Sequence, residues 1–400
     1  MAFQLPVPVQ NALTCLTRQG YAAYVVGGCV RDLLRGVTPH DYDLCTSAFP
    51  AQIQACFASC RQMTIGLAHG TIGVWMDKLW LEITTFRVDG SYSDGRHPDQ
   101  VRFTGSLAED LGRRDFTINA MAYHPSLGVQ DFYGGVEDLH GRKIRCVGEA
   151  RRRFEEDALR ILRALRFAAV MGFTVEPETM EAMERERMGL QKVSVERVAS
   201  ECNRLLMGQD AARVLRDFPS CVTAAIPEWE DLVNRADWQQ RTAALSFAPP
   251  VLEIRWAALL EGGDASVLRR LRMSNAQCAR VQALLEATSM PLETDWRGIR
   301  KGLARLGAVG YAQWLSLTEA MAQAQGAVER VEMVRTAQNV CAQMMQQGDC
   351  YGLSQLEITG HDLIAAGYPS GPAIGRALEK LLQAVMGEEL PNQKASLRAA

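Results

Sequence analysis

Apolar positions follow one rhythm up to about residue 149 and another beyond it. In the first part, short runs alternate between apolar and polar residues or are rich in β-branched ones, which predicts strands mixed with helices. Residues 71–76 and 79–86 read as a hairpin around Asp77-Lys78. Residues 24–26 form a short apolar strand that runs into Gly27-Gly28 and then a helical segment over 30–34. A second short strand follows at His40-Asp41-Tyr42-Asp43-Leu44. Residues 88–98 are polar and turn-rich, so a mobile loop is expected there. Beyond residue 149 strand signals nearly vanish. Helical periods cover 155–170, 177–187 and 195–207, with amphipathic segments to the end. No internal repeat stands out. The layout is α+β: a small mixed α/β head followed by an all-helical remainder, with breaks near 147, 207 and 330.

The 400 residues exceed one typical core, which argues for several domains. Hydrophobic residues make up 48% of the chain, yet no apolar run reaches the ~18–20 needed to span a bilayer. The first residues lack the charged-then-apolar layout of a signal peptide, so a cytoplasmic protein is expected. Eleven cysteines contain no C-x-x-C pair and read as reduced, mostly buried thiols, which argues against zinc. The net charge of −3 gives no general polycationic signature. Residues 142–166 nevertheless carry nine Lys/Arg against four Asp/Glu, and the last seventy residues carry five against seven. Any RNA contact is therefore focused near the middle of the chain, with no basic tail.

Candidate chemistry concentrates at three places. Asp41 and Asp43 stand two apart on a strand, so both point to one face and can share a divalent ion. The preceding Gly27-Gly28, at a helix start, lets backbone N–H groups approach a phosphate. Carboxylates beside a phosphate cradle suggest phosphoryl or nucleotidyl transfer. Glu82 interrupts an otherwise apolar strand, either as an edge charge facing water or as a third metal-site carboxylate. Arg113-Arg114-Asp115 reads equally as a solvated turn capped by Asp115 or as a phosphate and sugar contact. On a continuous helix from Phe154, Ala158, Ile161, Leu162, Leu165 and Ala169 form an apolar arc. Glu156, Arg160 and Arg163 lie opposite, with Asp157 near Arg160 and Arg166 at the border. An ordinary helix with a Glu156–Arg160 ion pair is one reading. The other uses Asp157 and Arg160 as fixed hydrogen-bonding edges for a base. His361-Asp362 lacks the further upstream ligands that a metal phosphohydrolase needs nearby.

Taken together, Gly27-Gly28-Cys29-Val30-Arg31-Asp32 with Asp41-Tyr42-Asp43, Arg113-Arg114-Asp115, Glu156-Asp157-Ala158-Leu159-Arg160 and Ser194-Val195-Glu196-Arg197-Val198 resemble the class II tRNA nucleotidyltransferase and poly(A) polymerase family. A looser likeness runs through Gly360-His361-Asp362. The resemblance implies a catalytic head over 1–147, a neck with the base-reading helix over 148–206, a body over 207–330 and a tRNA-binding tail over 331–400. It implies Mg²⁺ on Asp41 and Asp43, with Glu82 as third carboxylate. Gly28 and Arg31 would hold the triphosphate, and Arg114 and Asp115 the ribose side. Asp157 and Arg160 would select CTP and then ATP, with Arg163 and Arg166 as neighbouring contacts. The intact Asp157/Arg160 pair, the full loop and the missing basic tail favour complete CCA addition to tRNA. Alternatives are a poly(A) polymerase, a CC- or A-adding enzyme and, disfavoured by its complete carboxylates, a non-catalytic RNA-binding relative.

Overall fold

The structure is a computed structural model, and it describes residues 3–64, 66–90 and 100–399. Residues 91–99, most of the expected loop, lie outside the described residues. The chain divides into two units, 1–205 with 217–229, and 206–216 with 230–400.

In the first unit, the central strands are buried along most of their length, with exposed Asp43 and Glu82 each set between buried neighbours. β1 (Ala23–Val26), β2 (Tyr42–Thr46), β3 (Arg61–Met63), β4 (Thr71–Met76), β5 (Leu79–Thr85), β8 (Met121–His124) and β9 (Gly128–Asp131) form one sheet in the order β3-β4-β5-β2-β1-β8-β9. β2 and β5 are parallel and the other neighbours antiparallel. The β4–β5 hairpin turns on Asp77 (φ 46°) and Lys78 (φ 69°), as a tight two-residue turn demands. One face packs on Val26, Cys45, Phe86, Leu111, Ala120, Ala122 and Val147. Each large apolar side chain buried there contributes roughly 1.5–3 kcal/mol. β6 (Arg87–Asp89) pairs with β7 (Val101–Phe103), so the start of the expected loop is a strand.

A parallel pair, β10 (Lys143–Ile144) with β11 (Thr174–Val175), fastens the following helices to the head. Those helices are Ala150–Glu156, Leu159–Met171, Pro177–Glu186 and Val195–Leu206. The continuous helix expected over 155–170 is in fact two. Asp157 is extended (φ −151°, ψ 101°), and its Oδ1 accepts from the Leu159 N–H at 3.1 Å. An Asp that satisfies an orphan N–H starts a new helix better than it continues an old one. The polar arc is also less exposed than a helical wheel suggests. Arg160 and Arg166 are each only 9% exposed, because neighbouring segments cover that side.

The second unit is helical. Helices Trp296–Ala324 and Val328–Gln347 form its longest hairpin, and the first is kinked at Gly307 (φ 69°, ψ 168°). Trp256, Tyr311 and Trp314 anchor its core. A smaller cluster near the C-terminus gathers Ile358, Leu363, Leu382, Val385 and Leu397. Arg300 ties these parts together, bidentate to Asp349 at 2.7 and 3.0 Å and to Glu388 at 3.0 Å. Asp362 closes a capping box with Thr359 and pairs with Lys394 and Arg398, which gives the His361-Asp362 dipeptide a structural role. None of the eleven cysteines is in a disulfide. Among the described residues no helix is long and apolar enough to cross a membrane.

Candidate active site

β1 ends at Gly27, whose φ of 81° and ψ of −132° suit only glycine. A Cβ there would lie 2.9 Å from Arg114 Nη1, so this glycine lets the guanidinium rest against the backbone. At Gly28 a Cβ would meet Arg31 only at 3.5 Å, an ordinary contact. The constrained position is therefore Gly27. Helix Gly28–Leu34 then presents Arg31, which is held on two sides. Nε and Nη2 donate to the Asp32 carboxylate, each at 2.9 Å, and Nη1 donates to Asn119 Oδ1 at 2.7 Å.

The carboxylates gather on the neighbouring strands. Asp41 directly precedes β2 and Asp43 is its second residue; both are exposed while Tyr42 and Leu44 are buried. The parallel register sets Asp43 opposite Glu82, also exposed between buried Leu81 and Ile83. On the other side Glu82 faces Gly73, where Trp80 fills the space a side chain would need. Partial removal of the carboxyl from water, then Glu82 and Asp41, raise Asp43 above its ordinary value, while Arg114 pulls it down. Like charges kept this close favour a cation.

Among the described residues no three His, Cys, Asp or Glu side chains converge as a finished metal cage. A magnesium-type site does not need one. Mg²⁺ is usually held by one or two carboxylates, with substrate phosphates and water completing its shell. The pair Asp41/Asp43 with Glu82 alongside suits that oxygen-only chemistry.

Two buried carboxylates organise the arginines. Asp110, fully buried, accepts from Arg113 Nε and Nη2 at 3.1 and 3.0 Å and from the Arg87 N–H at 3.2 Å. Arg114 Nη2 lies 3.6 Å from its other oxygen. Asp115 Oδ1 accepts from the Phe116 N–H at 2.8 Å and Asn119 Nδ2 at 3.1 Å. Its Oδ2 takes Arg163 Nε at 2.8 Å and Nη2 at 2.6 Å. Burial alone would raise this carboxyl; the Arg163 charge and hydrogen bond, with Asn119 and Arg160, outweigh it and hold the pKa at about 2. Arg163 is raised in turn, chiefly by Asp115. The guanidiniums of Arg31, Arg163 and Arg166 all lie over the Phe167 ring, at 5.3, 5.6 and 4.1 Å from its centroid. Burial pushes Arg166 down to about 10, partly offset by Glu201 at 3.3 Å.

Asp157 and Arg160 are not bonded to each other. Asp157 Oδ2 accepts from Arg197 Nη2 at 2.7 Å. Arg160 Nη1 donates to Glu156 Oε2 at 2.8 Å and to the Arg153 carbonyl at 3.1 Å. The Glu156–Arg160 ion pair is the one that helical spacing suggested. Asn119, Glu201 and the Arg197 link are not legible in the sequence, because Arg31, Arg166 and Asp157 lie far from them along the chain. Asn119 and Arg31, for instance, are 88 positions apart. Asp110 and Phe167 have near partners, but no local pattern marks them as buried hubs.

The chain matches three family models: "Poly A polymerase head domain" over residues 23–145, "Probable RNA and SrmB-binding site of polymerase A" over 172–218, and "tRNA nucleotidyltransferase domain 2 putative" over 253–400. It is 36% identical to the CCA-adding enzyme of Lacticaseibacillus paracasei, covering 99% of this chain and 95% of that one. It is 35% identical to the CCA-adding enzyme of Levilactobacillus brevis, covering 100% and 97%. Among solved structures, the CCA-adding enzyme of Bacillus stearothermophilus in complex with CTP is similar at a TM-score of 0.78 and 31% identity, over 99% of this chain and 97% of that one. With relatives this similar along almost its entire length, the chain belongs to the family of CCA-adding enzymes.

Proposed function

We propose that this chain adds C, C and A to the 3′ end of tRNA from CTP and ATP, without a nucleic-acid template, in the site built by Gly27, Asp41, Asp43 and Glu82. It is a nucleotidyltransferase, and its partners are tRNA and the two nucleotides. The full-length likeness to CCA-adding enzymes carries this reading, and the Asp43–Glu82 register supports the placement of the chemistry. That likeness also disfavours a poly(A) polymerase or a partial enzyme. We assign 1–147 to the head, 148–206 to the neck, 207–330 to the body and 331–400 to the tail, with helix Val328–Gln347 running across the last division. A cytoplasmic location suits an enzyme of tRNA and free nucleotides.

In this reading Asp41 and Asp43, with Glu82 beside them, hold Mg²⁺. When bound, Mg²⁺ would activate the tRNA 3′-hydroxyl and neutralise triphosphate charge. The hydroxyl oxygen attacks the α-phosphorus, the new P–O bond replaces the one to pyrophosphate, and pyrophosphate departs. Gly28 and Arg31 orient the triphosphate. Arg114, laid against Gly27, and Asp115, acting through Asn119 and Arg163, shape the ribose side. Asp157 accepts from the N4 amine of cytosine or N6 of adenine, and Arg160 donates to ring acceptors. Uracil and guanine put a carbonyl where that amine belongs, which leaves the carboxylate unmatched and costs roughly 2–4 kcal/mol. Arg163 and Arg166 flank the nucleotide from the Phe167 cluster.

The test is extension of a tRNA that ends before CCA, with CTP and ATP present. Chelation should stop it, Mg²⁺ should restore it, and Asp41→Ala and Asp43→Ala should not respond while still binding tRNA. Retention of more than about a tenth of the rate by both variants would remove the assignment.

A further inference from the structure

We infer that Arg197 is a positioning residue for base selection, which fixes the Asp157 carboxylate from helix Val195–Leu206; the inference rests on the base-reading role proposed for Asp157. The two oxygens of Asp157 are tied to two different elements. Oδ1 accepts from the Leu159 N–H at 3.1 Å, at the start of helix Leu159–Met171, and Oδ2 accepts from Arg197 Nη2 at 2.7 Å. The terminal torsion of an aspartate is broad, so one bond would leave the carboxylate plane free to turn. A second bond on the other oxygen, from a separate helix, removes that freedom. Each oxygen keeps a lone pair, so an amine can still be accepted on a plane whose direction is fixed.

The other cations nearby are committed elsewhere. Arg160 is bonded to Glu156 at 2.8 Å, and Arg163 grips Asp115 at 2.6 and 2.8 Å. Arg197 is therefore the cation that holds Asp157. Its position argues the same way. It sits in the first turn of its helix, where a positive charge opposes the helix dipole, so helix stability does not account for an arginine there. The contact uses one nitrogen and one oxygen, which a lysine ammonium can reproduce, unlike a bidentate fork.

The experiment measures kcat/KM for CTP and for UTP on a tRNA ending before CCA, using full-length wild type, Arg197→Ala, Arg197→Lys and Asp157→Ala. The CTP/UTP ratio from a single preparation does not depend on how much of it is folded, so partial misfolding cannot mimic the effect. Arg197→Ala should lower the ratio by at least about tenfold, and Arg197→Lys should restore it to within about threefold of wild type. An unchanged ratio in Arg197→Ala, beside a collapsed ratio in Asp157→Ala, would overturn the inference and leave Arg197 as scaffold. An unchanged ratio in Asp157→Ala would instead overturn the base-reading role itself.

Discussion

Replacing Asp115 with Asn changes almost nothing in shape and much in energy. The carboxylate accepts one hydrogen bond from Arg163 Nε and holds Arg163 Nη2 as an ion pair on one oxygen, and accepts one bond each from the Phe116 N–H and Asn119 on the other. An amide keeps one acceptor, so its NH₂ must face either Arg163 or the Phe116–Asn119 side, donor against donor. Turned toward Arg163, it loses one charge-assisted bond worth ~1.5–3 kcal/mol and, with it, the ion pair to Nη2, worth roughly another 1–3 kcal/mol. Arg163 is 33% exposed, so water recovers part of that loss, and the net cost is roughly 2–4 kcal/mol. The depressed pKa, which reflects the same contacts, leads to a similar figure. A carboxyl at about 2 in the folded chain and 3.8 ordinarily corresponds to roughly 2.5 kcal/mol. Because the folded value is depressed, this contribution is complete above the ordinary value and fades as pH falls toward the folded one, with about half gone at pH 3. Hydrogen exchange by mass spectrometry, read on peptides from helix Leu159–Met171 and residues 113–120, measures the opening free energy locally. The two units need not unfold together, so a local probe is the right one. The wild type should exceed Asp115→Asn by roughly 2–4 kcal/mol at pH 7, and the gap should shrink between pH 4 and 3. A gap under about 0.5 kcal/mol at pH 7, or one that does not shrink on acidification, would refute the argument that Arg163 and Asp115 act as a buried pair.

Other consequences are equally direct. Gly27→Ala adds backbone strain of roughly 1–3 kcal/mol and a Cβ that displaces Arg114, so KM for CTP should rise while Gly28→Ala changes it less; equal effects at both positions would contradict the constrained glycine. Asp157→Ala should relax selection against GTP as well as UTP while metal dependence stays unchanged; full rejection of GTP would place base reading elsewhere. Shortening the segment that joins β6 to β7 should spare the two C additions and cripple the final A, and equal slowing of all three would reduce it to a connection.

How far the sequence could be read depended on the range of each interaction. The Asp41/Asp43 face, the Glu82 strand and the hairpin at Asp77-Lys78 were legible, because strand alternation and turn chemistry act over two or three residues. The Glu156–Arg160 pair was suggested by helical spacing, although it closes across the break at Asp157 and not along one helix. The break at Asp157 was not legible. The apolar period runs through it undisturbed, and one side-chain bond to Leu159 sets the boundary. Burial of Arg160 and Arg166 was hidden as well, since a wheel describes a helix and not what covers it. Gly28 and Gly27 are indistinguishable in a string of letters; only φ and the approach of Arg114 separate them. The links Arg163–Asp115 and Arg197–Asp157 join residues 48 and 40 positions apart, beyond any local pattern.

The central claim is that one chain completes CCA on tRNA by choosing its own nucleotides. It is tested most directly by extending a tRNA that ends before CCA and resolving the products to single nucleotides, with CTP alone, ATP alone and both. The account predicts two additions with CTP alone, none with ATP alone, and three followed by a stop when both are supplied. A ladder of A residues with ATP alone, or a halt after two additions with both nucleotides present, would contradict it.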